Sequence, residues 1–141
     1  MKLAPFFLRL IERLRGSFAW IEATELKRRL NHGEAMTIVD VRGPDEFTGS
    51  LGHIASARNI PVAELADRLP ELAGRERESV VLVCRTDKRS ATAARTLRAA
   101  GFTEVNVLRR GMEQWNEAGL PVEGGGAEAT PKASTARGSV V

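Results

Sequence analysis

Cys84 is the only cysteine in a chain of 141 residues, and its surroundings suit a thiol that works as an anion. Ser79-Val80-Val81-Leu82-Val83 is an apolar, β-branched run that ends abruptly at Cys84. Arg85, Lys88 and Arg89 follow, offset only by Asp87, and Ala91-Thr92-Ala93-Ala94-Arg95-Thr96-Leu97 opens a helical pattern. The order is strand, tight loop, helix N-terminus. Three features of that order favour the thiolate, the reactive form of cysteine. The positive end of the helix dipole points at the loop, successive loop N–H groups form a nest for an anion, and the basic side chains add positive charge. The same features would hold an anionic substrate or a charged covalent intermediate. The charged residues at 85, 87, 88 and 89 also argue for a thiol open to solvent rather than packed as a small apolar group.

A single cysteine excludes an internal disulfide framework, dithiol redox chemistry of the Cys-x-x-Cys kind and a Cys-based zinc cluster. His32 and His53 add no metal-ligand spacing, so no metal is expected. A lone thiol suits a reducing compartment, which gives a cytoplasmic expectation. His32 reads as a residue at a helix C-terminus. His53 reads as a structural histidine holding a loop carbonyl, with acid–base work as the alternative. The formal net charge is +3, and Lys2, Arg9, Arg13 and Arg15 against Glu12 account for all of it. The rest of the chain is charge-balanced, so the basic character belongs to the N-terminus and does not describe a nucleic-acid-binding face on the domain; no nucleic-acid partner is expected.

The elements that must position Cys84 alternate. Residues 18–22 read as a short strand and 23–31 as a helix through Leu26 and Leu30, stopped at Asn31-His32-Gly33. Met36-Thr37-Ile38-Val39-Asp40-Val41 reads as a buried strand. Asp40 at its end needs partners, and Arg42, Asp45 and Glu46 are the material for a small charge network, either a loop tie or a substrate contact. A helical turn over 45–50, a strand over 54–60 and a helix over 62–72 follow, the last with Leu65, Leu69 and Leu72 on one face. The helix after Cys84 is expected over 90–100, with Ala91, Ala94, Leu97 and Ala99 inward and Gly101 as its cap. Glu104–Leu108 reads as the last strand. A short helix with Met112 and Trp115 in the core closes the domain.

The pattern predicts an α/β domain with a mostly parallel sheet of about five short strands covered by helices. Ligands in such sheets sit beyond the carboxyl ends of strands, where Cys84 and Asp40 both fall. Residues 1–17 form an extension in which 3–14 are a basic amphipathic helix. That helix packs on the domain or a second copy, or docks on a membrane surface or partner. The domain spans 18–123. Residues 124–141, rich in Gly, Ala, Ser and Thr, cannot bury a core and read as a disordered tail.

Cys84-Arg85-Thr86-Asp87-Lys88-Arg89-Ser90 closely resembles the active-site loop of single-domain rhodanese sulfurtransferases. The resemblance extends through Asp40-Val41-Arg42 with Glu46-Phe47, Gly52-His53-Ile54, Asn59-Ile60-Pro61, Gly101-Phe102, Gly111-Met112-Glu113-Gln114-Trp115 and Gly119-Leu120-Pro121-Val122. It implies a three-layer domain and a ping-pong reaction without a cofactor. Cys84 would take the outer sulfur of a small anionic donor such as thiosulfate as a transient persulfide. It would then pass that sulfur to cyanide, a thiol or a protein. Arg85, Thr86, Asp87, Lys88 and Arg89 would bind donor and persulfide, and Asp40 and Arg42 would shape the rim.

Two readings compete. One is a phosphatase or arsenate reductase, whose loops in related domains are one residue longer than the four residues between Cys84 and Arg89. The other is a sulfur-carrier or binding module docking a partner or membrane through the N-terminal helix. One departure stands out: many members of the resembled family carry glycine where this chain has Asp87. If that position needs a left-handed backbone, Asp tolerates it better than most residues.

Overall fold

The computed structural model describes residues 17–125. The expected helix at 3–14 and most of the expected tail lie outside them. In chain order the elements are β1 (Ala19–Ile21), α1 (Ala23–Asn31), β2 (Met36–Asp40), α2 (Pro44–Phe47), β3 (Arg58–Asn59), β4 (Ser79–Val83), α3 (Lys88–Ala99), β5 (Glu104–Leu108) and α4 (Gly111–Glu117). The strands form one sheet in the order β1-β5-β4-β2-β3 with every pairing parallel. No helix among the described residues is long and apolar enough to cross a membrane.

The sheet is buried on both faces, as its near-continuous apolar strands require. On one face Val39, Val80, Leu82, Val105 and Val107 pack with Leu65, Leu72 and the Ala93, Ala94 and Leu97 stripe of α3. On the other, Ile38, Val81, Val83 and Leu108 pack with Ala23 and Leu26 of α1 and with Met112 and Trp115 of α4. Trp115 is core, as expected, and its indole N–H donates to the Pro121 carbonyl at 2.9 Å. The small side chains Ala93 and Ala94 let α3 lie close to the sheet.

Three local expectations change. The strand expected over 54–60 shrinks to Arg58–Asn59, because Ile54–Ala57 closes as a turn with Ser56 at φ 70°. The helix expected over 62–72 is instead two short 3-10 turns, Val62–Glu64 and Leu69–Leu72. Pro70, without an N–H to donate, sits in the first turn of the second. Leu65 and Leu72 are buried as expected. The inward face of α3 is Ser90, Ala93, Ala94 and Leu97, with Ala91 only partly covered and Ala99 exposed. This is a rotation of the stripe that begins at the first helical turn. Gly101, at φ 99°, does follow the end of α3.

The topology places the site. From β2 the chain leaves toward β3, whereas from β4 it leaves toward β5, so the connections part between these two neighbours. A crevice at the carboxyl ends of parallel strands forms at such a point. Asp40 is paired with Val83, and the Val41 N–H donates to the Val83 carbonyl at 2.8 Å. Cys84 and the Asp40-Val41-Arg42 corner are therefore neighbours on that rim.

Candidate active site

Cys84 is buried at 1% exposure, contrary to the solvent-open expectation. The reason is the two-residue alternation of a strand. Val80, Leu82 and Cys84 share one face and enter the core cluster with Ala93 and Ala94. The charged residues belong to the loop beyond, so the thiol lies at the foot of the loop rather than on its surface.

The loop is held from behind by α4. The carbonyls of Cys84 and Arg85 accept from the N–H groups of Met112 and Glu113 at 2.9 and 3.1 Å. Gly111 makes this contact possible. At φ 47°, a Cβ there would stand 2.1 Å from the Cys84 oxygen and 2.5 Å from the Thr86 oxygen. In a trans peptide the N–H points opposite to the preceding C=O. With these carbonyls turned to α4, the Arg85 and Thr86 N–H groups face the opposite side, the side of Cys84 and α3. Among the described residues, none of the N–H groups from Arg85 to Ser90 donates to a protein acceptor. Asp87 stands at the N-cap of α3 but makes no side-chain cap. The carboxylate that would ordinarily satisfy the first helical amides leaves them open. Its φ of −151° is not left-handed, so the glycine common in the resembled family is not needed here for conformation.

The loop cations are largely committed. Arg89 donates to both carboxylate oxygens of Glu46, at 2.7 and 3.0 Å. Arg85 Nε donates to Glu113 Oε2 at 2.7 Å. The Arg89 contact, helped by the Gly43 N–H, lowers the Glu46 carboxyl to a pKa of about 2 despite partial burial. Arg89 is in turn held in its charged form, chiefly by Glu46 and more weakly by Cys84 and Asp40. Lys88 is exposed and has no ion pair among the described residues. An anion at the thiol would therefore meet the open amides and the α3 dipole more than the side chains expected to hold it.

Asp40 and Arg42 sit beside this loop as a closed unit, 0% and 1% exposed. Arg42 grips both Asp40 oxygens, at 2.9 and 2.8 Å, and donates to the Gly52 carbonyl at 2.7 Å. The Asn59 amide bridges the Asp40 and Arg42 carbonyls. This is the loop tie rather than a free carboxylate. Asp45 takes no part, and Glu46 reaches across to Arg89. His53 behaves as the structural reading held. It stacks on Phe47 at 3.7 Å between ring centroids and its Nδ1–H donates to the Phe47 carbonyl at 2.9 Å.

The motifs that carry the family resemblance contain Ser90, Gly111 and Glu113, but sequence reasoning assigned none of the three a role of its own at the site. A carboxylate 28 positions from its arginine leaves no local periodic trace. A glycine packed against a distant loop looks like any turn glycine.

Comparison with known proteins agrees with this geometry. The family model described as the rhodanese-like domain matches residues 22–118. The chain is 48% identical over 107 residues to an HTH-type transcriptional regulator, Rv0324, of Mycobacterium tuberculosis; the match takes in 74% of this chain and 45% of the regulator, so the chain spans under half of that relative. It is 33% identical over 102 residues to a sulfurtransferase of Allochromatium vinosum, covering 72% of this chain and 92% of that protein. Among solved structures, the rhodanese-like domain of the Anabaena protein Alr3790 superposes with a TM-score of 0.69 at 31% identity, over 89% of this chain and 92% of that one. A parallel sheet with a cysteine at the end of its central strand, and a family match that takes in every strand but β1, make this chain a member of the rhodanese-like domain family.

Proposed function

We propose that this protein is a sulfurtransferase with Cys84 as its sulfur carrier. The Cys84 thiolate attacks the outer sulfur of a donor such as thiosulfate. A new S–S bond forms, the donor's own S–S bond breaks, and sulfite departs with the electron pair. The product is a persulfide anion on Cys84. A thiophilic acceptor, such as cyanide, a thiol or a protein, then takes the outer sulfur and regenerates the thiolate. The chemistry uses no cofactor beyond that persulfide, and a reducing compartment such as the cytoplasm would keep the lone thiol ready for it.

The observation that carries this reading is the run of N–H groups from Arg85 to Ser90 without a protein acceptor, of which those of Arg85 and Thr86 face the side of the thiol. These donors are fixed before any charge arrives, so stabilising an anionic sulfur needs little reorganisation. A short loop also favours a bare sulfur over a tetrahedral phosphate. The sulfurtransferase relative of Allochromatium vinosum supports the same class of reaction.

Incubation with thiosulfate should add one sulfur atom to the intact mass, and Cys84→Ala should remove that gain. Cyanide added to the loaded protein should release thiocyanate. A wild-type protein that gains no sulfur from any sulfane donor would sink the proposal.

A further inference from the structure

Ser90 Oγ is the one buried side-chain polar atom among the described residues with no hydrogen-bond partner. The residue is 0% exposed. It is the first member of the inward stripe of α3, followed by Ala93, Ala94 and Leu97, and Ala93 and Ala94 belong to the same cluster as Cys84. Ser90 thus lies where the loop joins the helix, directed inward on the side of the sheet that holds the thiol. A buried hydroxyl without a partner is unfavourable, and such atoms in native proteins call for an explanation. Alanine would continue the packed stripe without that cost.

We infer that the Ser90 hydroxyl donates a hydrogen bond to the outer sulfur of the Cys84 persulfide, and so is a positioning and stabilising residue of the loaded enzyme. This rests on the sulfurtransferase reading above. The sulfur-free protein gives the hydroxyl no acceptor, Cys84 Sγ included. Loading moves the negative charge outward from Sγ by one S–S bond, about 2 Å. The anion then sits further into the mouth of the loop, where the open amides and the α3 N-terminus lie. The hydroxyl stays unsatisfied in the resting state and is satisfied in the sulfur-loaded one. Its contribution is therefore realised only when sulfur is bound, which pulls the loading equilibrium toward the persulfide.

The test is the equilibrium between thiolate plus thiosulfate and persulfide plus sulfite, read by intact mass at fixed thiosulfate-to-sulfite ratios. Ser90→Ala should lower the loading constant roughly 10- to 100-fold, as expected for loss of a hydrogen bond to a charged group. Its sulfur-free form should melt no lower than the wild type. Ser90→Thr, which keeps the hydroxyl, should recover most of the loading. A Ser90→Ala protein that loads within about twofold of the wild type would overturn the inference and leave the sulfurtransferase reading intact. So would loss of folding in Ser90→Ala, since a hydroxyl without a partner cannot hold the sulfur-free fold together. Failure of the wild type itself to load would overturn the underlying reading, and this inference with it.

Discussion

Two neighbouring strands end on the same rim and treat their polar groups in opposite ways. At the end of β2, Asp40, Arg42, Asn59 and the Gly52 carbonyl satisfy one another in a closed, dry unit. At the end of β4, the carbonyls of Cys84 and Arg85 are tied to α4 while the N–H groups beyond them and Ser90 Oγ remain open. The first corner is saturated and can serve only as a support. The second carries hydrogen-bonding capacity that the protein itself does not use, and buried capacity of that kind points to a ligand or intermediate. Ionisable residues mark both corners, so charge alone does not tell the site from its support. Satisfaction does.

The sharpest way to break the contrast is at the thiol. Cys84→Ala should abolish sulfur loading completely while the melting temperature stays near wild type, because the residue is a small member of an apolar cluster. Residual loading in that variant would move the site elsewhere. The saturated corner should respond in stability instead. Arg42→Met strands a buried carboxylate and should cost about 3–5 kcal/mol in urea unfolding. A loss under about 1 kcal/mol would show that Asp40 finds another partner, and that the corner is less closed than its distances imply.

Between these lies Gly111, which belongs to the support yet sets the shape of the open loop. Gly111→Ala drives a methyl into the Cys84 and Thr86 carbonyls and displaces the amides by a fraction of their working distance. We expect loading rates to fall about 100-fold, with a smaller loss of stability. Unchanged rates would mean that the amide arrangement does not govern the chemistry. The smallest effect concerns Glu46. Its pKa is lowered in the fold, so its pairing with Arg89 contributes fully above the ordinary value of 4.5 and is lost as pH falls toward about 2. Both partners are more than a third exposed, so water screening leaves about 1 kcal/mol. Urea midpoints of wild type and Glu46→Gln should differ at pH 6 and converge near pH 2. A gap that persists at low pH would assign the stabilisation to something other than the carboxylate charge.

Much of the architecture was legible because strands and helices leave periodic traces. The apolar runs at 36–41, 79–83 and 104–108 named three of the five strands, and the end of the run at Cys84 located the thiol. The elements misread were those with little period of their own. Residues 54–60 contain a turn at Ser56 that an apolar count does not register, and residues 62–72 are interrupted by Pro70, which has no N–H to donate. The expectation of an exposed thiol failed for a related reason. The charges at 85 to 89 describe the loop, whereas the strand's alternation governs where the sulfur points.

The order of residues alone was enough for the α/β class, for the strand–loop–helix setting of Cys84 and for the family resemblance, because each is written in local spacing. Which partners the charges take was settled only by the fold. Arg89 pairs with Glu46 and Arg85 with Glu113, across 43 and 28 positions, because parallel strand order and the packing of α4 bring those segments together. The same long-range contact turns two carbonyls away from the thiol and leaves their neighbouring amides facing it. A chain can encode the donors, but only tertiary packing determines which of them stay unpaired beside Cys84.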